Sequence, residues 1–269
     1  MTTKTVDAGT EQMLAHVEDG IGWMTYNNPA RHNAMSYDMQ RAVPRILGAF
    51  GGDDDVQVIV VRGAGDKAFV SGADISEFET RRTGVDARAE YDAALVAAWG
   101  AWRSMPKPVI AMIRGYCIGG GLLTAMKADI RIASDDSQFA IPAARLGVGY
   151  AIEGVRELQA LVGPAKAAEL LFSARRIGAV EALTIGLVNR VVPVAELDAE
   201  VRELAGTIAA NAPLTVKACK AALRELAKDP AQRDLEHVEA MIEACFRSDD
   251  YREGQRAFTE KRPPRFTGH

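Results

Sequence analysis

Two short runs, Val56–Val61 (VQVIVV) and Val109–Ile113 (VIAMI), are apolar at nearly every position. A half-wet strand alternates apolar and polar residues, so runs of this kind need cover on both faces, as in the parallel sheets of α/β proteins. Both runs end in Arg-Gly, at Arg62-Gly63 and Arg114-Gly115. The second continues through Ile118 into Gly119-Gly120-Gly121 and the helix pattern Leu122–Met126. This reads as a strand-to-helix unit used more than once, or as two strands that end alike by chance.

Around these runs the pattern alternates. Met13–Val17 and Ile21–Tyr26 predict a hairpin over Glu18-Asp19-Gly20. Ser36 caps a helix whose apolar face is Met39, Val43, Ile46, Leu47 and Phe50, which Pro44 is expected to kink and Gly51-Gly52 to end. After the loop Thr80–Glu90, Tyr91–Met105 predicts a helix stopped by Pro106-Lys107-Pro108. Ile130–Ala133 and Val188–Val192 read as strands. The helices expected beyond are Glu153–Val162, Ala165–Phe172, Ala179–Gly186, Glu196–Ala210, Leu214–Ala227, Leu235–Phe246 and Tyr251–Phe258. Helices alone remain after about residue 195, with no Ser/Gly-rich linker, so the tail is expected to pack on its own core or on a sister subunit.

A length of 269 residues with 48% apolar residues supports a large core. The 32 Lys+Arg against 36 Asp+Glu give −4, so no global field draws the chain to nucleic acid or anionic lipid, and an anionic ligand must be held locally. Cys117, Cys219 and Cys245 lie too far apart in sequence for a CxxC metal pair and are odd in number, which suits a reducing compartment. The N-terminus lacks the pattern of a secretory signal, and no stretch approaches the ~20 apolar residues of a membrane span. A cytoplasmic location, no membrane or nucleic-acid partner and no metal are expected.

Two segments can carry chemistry. Gly119–Gly121 is either a tight turn needing positive φ or a place where helix-start N–H groups meet a ligand without a Cβ in the way. Phe69–Ile75 (FVSGADI) is a strand breaking into a bend, in which Asp74 caps the next turn. Taken jointly, two backbone N–H donors from separate loops make an oxyanion hole, where losing one donor costs ~3 kcal/mol.

Those segments, with NNPARHNAM (Asn27–Met35), PVIAMIRGYCIGGG (Pro108–Gly121), ADIRIAS (Ala128–Ser134) and FTEKRPPRF (Phe258–Phe266), resemble the crotonase superfamily, the enoyl-CoA hydratase/isomerase family. The resemblance spans nearly the whole chain. It implies an α/β fold, a crotonase-type spiral of ββα repeats over residues 1–195 followed by a C-terminal helical trimerisation region over 196–269, and a homotrimer or homohexamer. It implies an acyl-CoA thioester as substrate, coenzyme A being part of that substrate rather than a separate cofactor. The oxyanion donors map onto Ala73 and Gly120, with Gly119, Asp74 and Ile75 beside them. Arg31 falls where a basic residue approaches the CoA phosphates and adenine, and Phe258 and Lys261 fall where C-terminal residues touch the nucleotide. Arg252, Arg256, Lys261, Arg262 and Arg265 make the last twenty residues basic, which suits that nucleotide or a solvated surface.

The chain departs from a hydratase of this family at both catalytic glutamates, where it has Leu123 and Ala143. Neither exchanges a proton, and general acid–base help contributes about 10²–10⁴ in rate. The loop Leu146–Gly154 resembles methylmalonyl-CoA decarboxylase of the same superfamily, with Tyr150 aligned on its tyrosine, although that enzyme has a histidine at the position of Ala73. Tyr150 is expected to be catalytic or a pocket-wall aromatic, and Glu153 an acid/base or a helix-start glutamate favoured by the dipole. The expected function is a decarboxylase, lyase or isomerase step through a thioester enolate. The alternatives are a hydratase in name with weak or no hydration, and a non-catalytic acyl-CoA-binding protein.

Overall fold

The computed structural model describes residues 3–77 and 85–269. Its centre is a seven-stranded sheet of order β1 (Lys4–Val6), β2 (Met13–Glu18), β3 (Ile21–Tyr26), β4 (Val58–Gly63), β6 (Val109–Ile113), β8 (Ile130–Ser134) and β11 (Arg190–Val192). The strands from β3 to β11 are parallel, and β1 and β2 join antiparallel at one edge. A second sheet orders β10 (Ile177–Gly178), β9 (Gln138–Ala140), β7 (Tyr116–Ile118) and β5 (Ala68–Val70). Ten α-helices lie among the described residues. They are α1 (Tyr37–Gly52), α2 (Val85–Ser104), α3 (Gly120–Met126), α4 (Ala143–Leu146), α5 (Ile152–Ser173), α6 (Ala179–Thr184), α7 (Leu197–Ala209), α8 (Pro213–Leu226), α9 (Leu235–Arg247) and α10 (Asp249–Glu260).

The apolar runs are explained by two cores. Along β4, Ile59 and Val61 enter the main core with Met24 and Phe50, while Val58 and Val60 face Trp23 and Ile110 beneath α7. Burying each such Val or Ile contributes about 2 kcal/mol. Helix α7 presents Leu197, Val201 and Ala205 to the sheet, so the first helix beyond residue 195 packs on this chain's own core.

Several boundaries differ from the sequence expectation. Helix α1 runs unbroken through Pro44, with Ser36 Oγ accepting from Met39 N at 3.2 Å as its cap. Helix α2 starts at Val85, so residues 85–90 of the expected loop are helical, while 78–84 lie outside the described residues. The two helices expected on either side of Gly163-Pro164 follow one another as α5 across a non-helical Gly163, φ 76°. Of the smaller sheet, residue patterning shows only β5, in the strand that starts Phe69–Ile75, because strands of two or three residues are too short to show a period of two.

Buried lysines tie the elements together. Lys107 Nζ donates to the carbonyls of Phe50 (2.7 Å) and Asp53 (2.6 Å), which satisfies open groups at the end of α1. Lys220 Nζ on α8 donates to the Lys107 carbonyl and to Asp129 Oδ2, both at 2.6 Å. No helix among the described residues is long and apolar enough to cross a membrane.

Candidate active site

Strands β5 and β7 pair in parallel, so the loops that follow them open at the same edge. In the first loop, Met35 N donates to Gly72 O and Asp74 N to Met35 O, both at 2.8 Å. Met35 thus pairs with the groups on either side of the Ala73 amide, whose N–H has no backbone acceptor among the described residues. In the second loop, Gly119 N donates to Ala140 O at 2.8 Å, and Gly119 takes φ 55°, as the tight-turn reading requires. Gly120 is the first residue of α3, so its N–H belongs to the helix-start donors without an intrahelical acceptor. A Cβ on Gly120 would lie 3.7 Å from Ala73 N and 2.7 Å from Met35 Cε. Glycine at 120 avoids that contact with Met35 and leaves the Ala73 and Gly120 amides close to one another, the kind of donor pair that can hold a carbonyl oxygen.

Side chains hold this geometry. Asn33, fully buried, donates to the carbonyls of Ala64 (2.9 Å) and Ala68 (2.8 Å) and accepts from Asn28 N at 2.9 Å, fixing the loop that carries Met35. Asp74 accepts from Ser76 N (3.0 Å) and Ser76 Oγ (2.7 Å) and pairs with Arg31 Nη1 at 2.9 Å. Burial alone pushes the Asp74 carboxyl up, but the hydrogen bonds from Ser76 and Arg31 outweigh it and hold the group below its usual range. Arg31 remains more than half exposed on the outer side of the loop. Ile75 opens a 3₁₀ turn, Ile75–Glu77, and its side chain lies outside the described residues.

Ala73, Gly120 and Leu123 line a cavity of about 150 Å³ together with Tyr26, Trp99 and Lys127. No carboxylate lines it among the described residues. Leu123 follows Gly120 by one turn of α3. Ala143 opens α4 next to Pro142, whose Cδ is 3.7 Å from where a Gly119 Cβ would stand.

Tyr150 packs beside Leu123, since a Cβ on Gly154 would meet Tyr150 Cε1 at 2.7 Å and Leu123 Cδ1 at 3.1 Å. Its hydroxyl is buried with no protein hydrogen-bond partner. Burial, then the charge of Glu157, then Cys117 push the phenol above its ordinary range, so it is protonated at neutral pH. Glu153 sits half-buried in the first turn of α5 and does not line the cavity. The acid whose charge reaches the Tyr150 phenol is Glu157, one turn on. Glu157 Oε1 pairs with Lys127, and Oε2 is buried without a partner. Lys127 lies 5.5 Å over the Trp99 ring. Sequence reading missed Lys127 and Glu157. Lys127 was detectable from spacing, because Gly120, Leu123, Thr124 and Lys127 share one face of α3.

Phe258 and Lys261, at the end of α10, do not line this cavity. The basic tail is more neutralised than its sequence suggests. Glu253 pairs with Arg256 and with Arg262 (2.6 Å) and accepts from Arg265 N at 2.9 Å, and Asp250 accepts from Thr267 N at 2.7 Å. Arg252 pairs with Asp249 at 3.0 Å. The charges of Lys261 and Arg265 have no acid partner among the described residues.

A family model described as enoyl-CoA hydratase/isomerase matches residues 16–269. The chain is similar to a crotonyl-CoA hydratase of Syntrophomonas wolfei, 36% identical over 95% of this chain and 98% of that protein. It is also similar to a short-chain-enoyl-CoA hydratase of Clostridium acetobutylicum, 36% identical over 93% and 95%. Among solved structures, an enoyl-CoA hydratase/carnithine racemase from Magnetospirillum magneticum superposes with a TM-score of 0.89 at 37% identity, covering 97% of each chain.

Proposed function

The chain belongs to the enoyl-CoA hydratase/isomerase family, and from that premise we propose that it makes and protonates the enolate of an acyl-CoA thioester without a glutamate pair. One observation carries this reading. The cavity that holds the Ala73 and Gly120 donors has an apolar Leu123 beside them and no acid on its described walls.

Hydration needs a base on water and an acid at Cα, and the family positions for both are Leu123 and Ala143. Decarboxylation needs neither. When the Cα–carboxylate bond of a malonyl-type thioester breaks, CO₂ departs and the bonding pair moves into the enolate, whose oxygen takes hydrogen bonds from Ala73 N–H and Gly120 N–H. The enolate carbon then takes a proton. Tyr150 is proposed for that step because its ring lies against Leu123, which lines the cavity, although the phenol itself sits behind that wall rather than on it. Arg31, Phe258 and Lys261 are proposed to serve the CoA nucleotide, and Glu153 is retained as an acid to be tested.

The deciding experiment is a panel of malonyl-type, enoyl and 3-enoyl CoA thioesters with the purified chain. Turnover of the malonyl-type members, reduced about 10²-fold or more in kcat by Tyr150→Phe, is the expected result. Glu153→Gln in the same assay reports on that acid. Crotonyl-CoA hydration at ordinary hydratase rates overturns the reading. Tight thioester binding with no turnover of any member favours a binding protein instead.

A further inference from the structure

The Arg-Gly endings of the two apolar strands play no part in the acyl cavity. Strands β3, β4 and β6 are parallel neighbours, and their register sets Thr25, Arg62 and Met112 in one cross-strand row, with Leu14 of β2 at its edge. Arg114 follows Met112 by two residues and so shares that face. Helix α7 covers the preceding row, with Trp23, Val60 and Ile110, and leaves the row of Arg62 as the wall of a separate cavity of about 410 Å³. Tyr26, next to Thr25, lines the acyl cavity on the opposite face of the sheet.

The charges here do not balance. Arg202 takes both nearby carboxylates, Asp198 at 2.8 Å and Glu18 at 2.9 Å. Arg62 is left 3.9 Å from Asp198, with Nε donating to Thr25 Oγ1 at 3.2 Å and the guanidinium 4.9 Å from the Trp23 ring centroid. Arg114 makes no side-chain hydrogen bond or ion pair among the described residues, and its Nε is shut off from solvent with no acceptor. His16 also lines the cavity, and burial, then Arg62, hold its imidazole below the usual range, so it is neutral at pH 7. The walls between these groups include Leu14, Phe69 and Met112, and the volume lies within the range of small-molecule sites.

We propose that this cavity binds a small organic anion, its carboxylate or phosphate held between Arg62 and Arg114 and its body against Leu14, Phe69 and Met112. Guanidinium forks suit both head groups. The chain's net charge of −4 attracts no anion at long range, so an anion held here is held by these local groups.

Calorimetric titration and thermal unfolding with three probes, inorganic phosphate, phenyl phosphate and benzoate, test the site. The wild-type chain is expected to bind phenyl phosphate or benzoate more tightly than inorganic phosphate, and which of the two wins identifies the head group. Arg114→Met is expected to weaken that binding at least about tenfold, the equivalent of one charge-assisted hydrogen bond. Its guanidinium carries no bond in the fold, so this variant remains informative even if Arg62→Met, which loses the Trp23 stack, fails to fold. Arg114→Lys, which keeps the charge but not the fork, is expected to fall between. Absence of binding by all three probes overturns the proposal. So does equal binding by wild type and Arg114→Met, or displacement of the probe by free coenzyme A, which would put the probe in the acyl-CoA site. None of these results depends on whether any thioester is turned over.

Discussion

The absence of one methyl group at Gly154 leaves Tyr150 its place. A Cβ there would stand 2.7 Å from the Tyr150 ring and 3.1 Å from Leu123, closer than side chains tolerate. Gly154→Ala therefore displaces the ring and its hydroxyl. The position is on the first turns of α5, where alanine is otherwise preferred to glycine by about 1 kcal/mol. We expect kcat on whichever thioester the panel identifies to fall about tenfold or more, since misplacing a reacting group by about 1 Å can cost up to 10². The melting temperature is expected to move little. A large melting-temperature loss with unchanged kcat would make Gly154 a packing residue only. At this scale the sequence was informative about backbone and silent about partners. The segments around Ala73 and Gly120 were legible because a bend and a glycine run mark them, and the family resemblance singled out those two residues within them. Glu157 was not, because its link to Lys127 joins two helices thirty residues apart, and no local pattern encodes that meeting.

Between elements, α8 is docked to the sheet by Lys220, whose ammonium is buried against Asp129 and the Lys107 carbonyl. Burial is the largest influence on it and lowers its pKa from 10.5 to about 8. A lysine lowered on folding is charged in both states below about pH 8, where the desolvation cost is fully present. Between about pH 8 and 10.5 the unfolded chain holds a proton that the folded chain has released, so this group makes stability rise with pH across that window. The full difference is on the order of 3 kcal/mol. Urea unfolding at pH 7.5 and pH 10 is expected to show that gain in wild type relative to Lys220→Met. Equal pH slopes in the two proteins would refute it. The same contacts show what a sequence reads poorly at this scale. The apolar runs announced β4 and β6 because burial on both faces leaves a compositional mark, and Pro106-Lys107-Pro108 announced the end of α2. That Lys107 would satisfy the end of α1, and that Pro44 would be carried inside α1, are tertiary outcomes with no such mark.

For the whole molecule, the C-terminal helices leave an apolar surface open among the described residues. A groove of about 660 Å³ runs between α8, α9 and α10, with Phe246 57% and Phe258 87% exposed along it. Two phenylalanines exposed on one groove are what a subunit contact would cover, and burying a phenylalanine contributes about 2–3 kcal/mol. The acids Asp250 and Glu253 hold the chain's last residues against α10, so Phe258 is presented outward from a braced helix rather than from a loose tail. Self-association follows as the expected state, a trimer being the assembly that the sequence resemblance implies. Light scattering coupled to size exclusion should give three or six subunit masses for wild type, and a smaller species for Phe246→Asp/Phe258→Asp with unchanged circular dichroism. If Phe258 also serves the nucleotide of a neighbouring copy, the dissociated variant loses thioester affinity along with its mass, whereas Phe258→Leu keeps the assembly and loses affinity alone. A wild-type chain that elutes as a monomer, with the aspartate pair leaving affinity intact, would separate the groove from both roles.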